Sequence, residues 1–158
     1  MIKIIENVKY IIEIENFSFG PLTREDLIEN FKDGRAFGLI GEYILPAISG
    51  GKICKTKNGN FYDFQKKGVK IEQKTLTRRG LKLTPSSQIG SGRSFKLKEF
   101  KDKLDNIDWF FIVDNTDFPY LEAVFVKASK VGLDQHSFRY NPAREEFFNC
   151  AKQVRINL

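Results

Sequence analysis

The chain has 158 residues, 41% of them hydrophobic, with 15 Phe, 26 Lys or Arg against 20 Asp or Glu, and a formal charge of +6. That length predicts one domain, 1–158, with a sizeable core, and no apolar run approaches the roughly 20 residues needed to cross a bilayer, so no membrane association is expected. One histidine, His136, and two unpaired cysteines, Cys54 and Cys150, remove His-Cys zinc sites, Ser-His-Asp triads and a disulfide framework, and point to a reducing, cytoplasmic setting.

The start, Met1 to Glu6, is interrupted by an acid, unlike a signal peptide. Within 1–22, Ile4, Ile5, Val8, Ile11 and Ile12 recur at helical spacing, whereas Tyr10 to Ile14 reads equally well as a strand. Such an element is usually core, and in a small protein it could instead serve dimerisation. Phe19-Gly20-Pro21 breaks the chain, and Thr23 with Asp26 forms a capping-box start for a helix through Leu27, Ile28 and Phe31 that ends at Asp33-Gly34. A second helix, Ala36 to Leu45, turns Phe37, Ile40, Ile44 and Leu45 inward and is expected to stop at Pro46. Gly38, Gly41 and Glu42 lie together at helical spacing, so the small residues allow close approach to a sheet with Glu42 beside them. Three strands follow: Lys52 to Lys57, a hairpin turn at Asn58-Gly59, Phe61-Tyr62-Asp63, and Val69 to Leu76 after a Lys-Lys-Gly turn.

The third of these strands carries the chemistry. Alternation puts Val69 and Ile71 on one face and Lys70, Glu72 and Lys74 on the other. A tight turn returns Asp63 beside Glu72, so two carboxylates and an ammonium converge. The mutual repulsion of the acids favours a divalent cation between them, and hard oxygen donors suit Mg2+, for which Mn2+ can substitute. Lys74 would then offset charge developing on a phosphate.

At Asp63, eight intervening residues and Glu72-Gln73-Lys74, the chain resembles the PD-(D/E)xK nuclease superfamily, with Tyr62 where the motif's optional Pro would stand. The resemblance covers roughly residues 36–126. It implies a mixed α/β (α+β) fold with a restriction-endonuclease-like core: a central mixed sheet of four to five strands flanked by helices, built in the order α-β-β-β. It also implies a helix Glu assisting the metal, a role that falls to Glu42, and in-line hydrolysis leaving a 5′-phosphate and a 3′-hydroxyl.

Residues 77–95 are rich in Gly, Ser and Pro and read as a long loop. Arg78, Arg79, Lys82, Ser86, Ser87, Gln88, Ser91 and Arg93 are its candidate DNA contacts: hydroxyls and Arg suit phosphates, and Gln88 and the Arg residues suit base edges. Charge agrees, since Lys66 to Lys103 holds 12 Lys or Arg against 3 acids, a balance of +9, and the remainder holds 14 against 17, a balance of −3. Phe95 to Leu104 reads as an amphipathic helix with Leu97, Phe100 and Leu104 inward and Lys96, Lys98, Lys101 and Lys103 outward. Asp108 to Asp114 is a strand buried on both faces, and Tyr120 to Val126 is its hairpin partner. Asp114 and Asp117 read as turn residues. Lys127 to Leu133 reads as a short helix, another helix begins at Asn141-Pro142, and Val154 to Leu158 returns as an edge strand.

The leading expectation is a Mg2+-dependent, sequence-specific endonuclease acting on double-stranded DNA, with Asp63 and Glu72 as metal ligands, Lys74 and Glu42 catalytic, and no organic cofactor. A type II restriction enzyme comes first, with a homing endonuclease or a Holliday-junction or repair nuclease of the same fold as alternatives. One site per chain implies a homodimer or a tetramer for cutting both strands. The competing expectation is a non-catalytic basic nucleic-acid-binding protein in which Asp63, Glu72 and Lys74 form an ordinary salt-bridge group. A subunit of a larger nuclease complex is a third.

Overall fold

The computed structural model describes residues 2–50, 52–53 and 61–158. Along the chain run β1 (Val8–Glu13), α1 (Arg24–Phe31), α2 (Gly34–Ser49), β2 (Lys52–Ile53), β3 (Phe64–Lys66), β4 (Val69–Leu76) and β5 (Leu81–Lys82). They are followed by α3 (Leu97–Asn106), β6 (Trp109–Asp114), β7 (Tyr120–Lys127), β8 (Ser137–Phe138), α4 (Tyr140–Phe147) and β9 (Lys152–Asn157). Seven strands form one mixed sheet in the order β2-β3-β4-β6-β7-β1-β9, and β5 pairs with β8 in a separate two-stranded sheet. The class is mixed α/β as expected, but the sheet is larger than the four to five strands expected. Cys54 to Lys57 and the Asn58-Gly59 turn lie outside the described residues.

The extra strands come from the ambiguous N-terminus and the tail. Val8, Tyr10 and Ile12 are buried while Lys9, Ile11 and Glu13 are half-buried, the period-2 pattern of a strand. Strand β1 pairs antiparallel with β7 and parallel with β9, so both of its hydrogen-bonding edges are taken within the chain. The expected edge strand is β9, one residue from the C-terminus.

Phe110 to Val113 are fully buried and divide between two cores, because neighbouring strand residues face opposite sides. Phe111 and Val113 join Phe37, Ile44 and Leu45 of α2, with Ile28 and Phe31 of α1 packed against them. Phe110 and Ile112 join Phe100 of α3 and Ala143 of α4. Strand β6 pairs antiparallel with β7, as expected, and parallel with β4, with α3 as the crossover.

The capping box of α1 forms as expected, with Asp26 N–H donating to Thr23 Oγ1 at 3.1 Å and Thr23 N–H donating to Asp26 Oδ2 at 3.1 Å. Helix α2 does not stop at Pro46 but runs through it to Ser49. A proline interrupts only the bond that its own nitrogen would make four residues back, and apolar Ile44, Leu45 and Ile48 keep the helix against the sheet. Two further expectations need correction. The stretch 77–95 is not one long loop: a turn at Thr77–Gly80 leads into β5, with Leu81 and Leu83 fully buried and a single helical turn at Ser86–Gln88. Residues 127–133 contain only a short turn of helix at Ala128–Lys130.

Candidate functional site

The turn between β3 and β4 decides what can meet. Lys67 and Gly68, at its centre, have φ values of 49° and 86°, the pair of positive angles that characterises a two-residue type I′ hairpin. Register follows from that turn: Lys66 faces Val69, Gln65 faces Lys70 and Phe64 faces Ile71. Carried one residue further, Asp63 stands across from Glu72. The regular ladder ends at Phe64, and just beyond it Asp63 N–H donates to the Ile71 carbonyl at 3.0 Å and Asp63 Oδ2 accepts from Gln73 N–H at 2.9 Å, which holds its carboxyl beside β4.

The chemical face of β4 is not solvent. Glu72 and Lys74 are 6% and 7% exposed, covered from the α3 side. Lys74 Nζ lies 2.9 Å from Glu72 Oε1 and donates to the Thr84 carbonyl at 3.0 Å. A second ammonium reaches the same oxygen: Lys103 of α3, 3% exposed, is ion-paired with Glu72 Oε1. The expected outward placement of Lys103 is therefore wrong, and so is the inward placement of Leu97, which is 52% exposed. Helix α3 turns Phe100, Lys103 and Ile107 to the sheet, and only Glu72 makes a lysine tenable there. The signal was in the spacing, since Lys103 sits three residues after Phe100 and four before Ile107.

On the other side of β4, Gly41 of α2 lies so close that a Cβ would run into Gln73 Nε2, as the small-residue reading of α2 requires. Gly38 has open space above it and lines a cleft of about 1090 Å³ between α1–α2 and β4–β5. Glu42, Asp63, Glu72 and Lys74 all border this cleft. Arg78, Arg79, Lys82 and Ser86 border it from the strand side, and Glu29 and Asp33 from the helix side. Four of the eight candidate DNA contacts thus face the same space as the carboxylates. Gln88 is instead turned onto α3, donating to Glu99 Oε2 at 2.9 Å and accepting from Lys96 N–H at 3.1 Å. Arg93 Nη1 donates to the Ser86 and Ile89 carbonyls at 2.9 and 3.0 Å, bracing the segment from within. Ser87 and Ser91 are exposed and do not border the cleft.

Burial, joined by the like charge of Glu72, pushes the Asp63 carboxyl up to about 7, against the Gln73 N–H and Lys74; Glu42 adds a smaller push in the same direction. Burial also works against ionised Glu72, but Lys74 and Lys103 outweigh it and hold that carboxyl below its ordinary value. Burial, then Lys74, lowers Lys103 to about 8 against the pull of Glu72. Two acids on one hairpin are thus driven apart.

A hard cation fits this donor set. Asp63 is a buried carboxyl held well above its ordinary value by burial and by Glu72, and both lysine contacts of Glu72 fall on Oε1, leaving Oε2 without one. Among the described residues no group of three or more His, Cys, Asp or Glu converges on one point. A metal bound here would take two carboxylates from the protein, a share that Mg2+, which keeps several of its waters, could accept. The further acidic pair has a structural explanation. Buried Asp114 accepts from Thr116 N–H at 3.0 Å, Tyr140 Oη at 3.0 Å and Arg144 Nη1 at 3.0 Å.

No helix among the described residues is long and apolar enough to cross a membrane. No family model, curated protein or solved structure matches the chain.

Proposed function

We propose that the cleft is the active site of a metal-dependent nuclease that hydrolyses phosphodiester bonds in double-stranded DNA. The observation that carries this reading is the convergence of Asp63, Glu72 and Lys74 in one cleft whose strand-side rim is Arg78, Arg79 and Lys82. The order α2-β2-β3-β4-β5-α3-β6, with β5 outside the main sheet, β3 antiparallel and β6 parallel to β4, supports it, being compatible with the core that the PD-(D/E)xK resemblance implies. A bound divalent cation would supply Lewis-acid stabilisation of charge on the phosphate. Asp63 and Glu72 would hold it. Lys74, fixed between Glu72 and the Thr84 carbonyl, keeps an ammonium where negative charge grows. Glu42 borders the same space from α2 and is placed to orient a water, and Arg78, Arg79 and Lys82 bind the flanking phosphates. One such site serves one strand, so cutting a duplex requires two copies of the chain. A sequence-specific restriction enzyme is the form we favour, with homing and repair nucleases as variants of the same chemistry.

Supercoiled plasmid incubated with the protein and Mg2+ should be nicked and linearised with 5′-phosphate ends. Lys74→Ala should abolish cutting while retaining Ca2+-supported DNA binding, and Glu72→Ala should abolish cutting. A second reading has its own support, because the double lysine contact of Glu72 satisfies the carboxylate without any metal. It makes the protein a non-catalytic nucleic-acid-binding module, and salt-sensitive DNA binding with no Mg2+-dependent scission would select it.

A further inference from the structure

Glu72 Oε1 carries two ammonium groups at once, from Lys74 on its own strand and from Lys103 on the crossover helix. The two have different surroundings. Lys74 also donates to the Thr84 carbonyl, which anchors it independently of Glu72. Lys103 has Glu72 as its sole hydrogen-bond acceptor among the described residues, and both side chains are less than one tenth exposed. With both lysines charged, the pair Asp63 and Glu72 is formally balanced, two negative against two positive, and Glu42 adds a further negative charge beside them. A divalent ion arriving at a balanced site gains little attraction, whereas the same carboxylates without Lys103 carry an excess negative charge.

We propose that Lys103 is an internal counter-ion of the cation site, which neutralises Glu72 through Oε1 and so weakens the attraction of that site for a divalent metal. The proposal rests on the nuclease reading of the cleft, but it concerns metal binding alone. Lys103 is on this account a positioning residue, acting through Glu72. The test is calorimetric titration of Ca2+ into wild type, Lys103→Met, Lys103→Gln and Lys103→Arg at one fixed pH and ionic strength, with far-ultraviolet circular dichroism confirming the fold of each.

Lys103→Met should bind Ca2+ at least tenfold more tightly than wild type, and Lys103→Arg, which restores the charge, should stay within about threefold of it. Lys103→Gln keeps a polar group of similar length and should match Lys103→Met, so it carries the test if the apolar variant fails to fold. Equal or weaker binding by the folded neutral variants overturns the counter-ion role while leaving the nuclease reading standing. Asp63→Asn is the control for place: it should remove the binding in every background, and persistence of the Ca2+ signal would assign that signal to another site and overturn the inference. Failure of every variant and of the wild type to bind Ca2+ would overturn the inference and the metal-dependent reading together.

Discussion

Asp63→Asn should stabilise the metal-free protein, and by an amount that depends on pH. The carboxyl of Asp63 is raised from 3.8 to about 7, chiefly by burial and then by Glu72. Folded protein therefore holds a proton that the unfolded chain releases between those values, and stability falls as pH rises through that interval. Each pH unit is worth about 1.4 kcal/mol, so the whole interval corresponds to an upper bound of about 4 kcal/mol. Because Asp63 borders an open cleft, screening by water reduces this to about 2–3 kcal/mol. The asparagine keeps an oxygen for the Gln73 N–H, so the backbone bond at 2.9 Å survives. Urea unfolding in chelator at pH 5 and pH 8 measures the effect: the variant should exceed wild type by about 2–3 kcal/mol at pH 8 and by roughly half of that at pH 5. A difference of equal size at both pH values, or a less stable variant at pH 8, would refute the claim that ionised Asp63 is an electrostatic burden on the fold.

Arg144 joins Asp114 at 3.0 Å and Glu122 at 2.5 Å, and Lys9 supports Glu122 from β1. Arg144→Met removes the guanidinium from a carboxylate with 4% side-chain exposure and should cost about 3 kcal/mol, read as a thermal midpoint lower by about 6–12 °C. Arg79 and Arg93 should separate by salt dependence. Arg79→Ala removes a cleft-facing charge and should lower the slope of log affinity for DNA against log salt by about 1. Arg93→Ala removes a brace across the Ser86 and Ile89 carbonyls and should leave that slope unchanged.

The acidic pair was legible because its geometry is local. A Lys-Lys-Gly turn and eight residues between Asp63 and Glu72 determine a hairpin register, and with it which carboxylates face each other. The continuous run Phe110 to Val113 likewise announced a strand with core on both sides. What the chain hid was non-local. Whether Tyr10 to Ile14 is helix or strand depends on β7 and β9, which begin more than a hundred residues away. Lys103 looked like one lysine among four on a soluble helix, and its burial depends on a carboxylate 31 residues earlier across the sheet. Pro46 stops a free helix, but not one whose flanking residues are held in a core.

The basic balance of residues 66–103 overstates what a polyanion would meet. Lys74 and Lys103 are consumed by Glu72, Lys66 is bonded to the Ser49 carbonyl, and Lys96 pairs with Glu99 at 2.9 Å. Arg78, Arg79 and Lys82 remain along the strand-side rim of the cleft, opposite a helix wall of mixed charge with Glu29, Lys32, Asp33 and Glu42, where Lys32 pairs with Glu29 at 3.8 Å. On the nuclease reading a phosphate backbone would be drawn to the first wall more than to the second, so it should follow β5 and pass the carboxylates on that side. On that reading the phosphate contacts would be Arg78, Arg79 and Lys82, with Lys74 held back by Glu72 and the Thr84 carbonyl. The distribution of charge between the walls, more than its sum, would then decide how a duplex lies in the cleft.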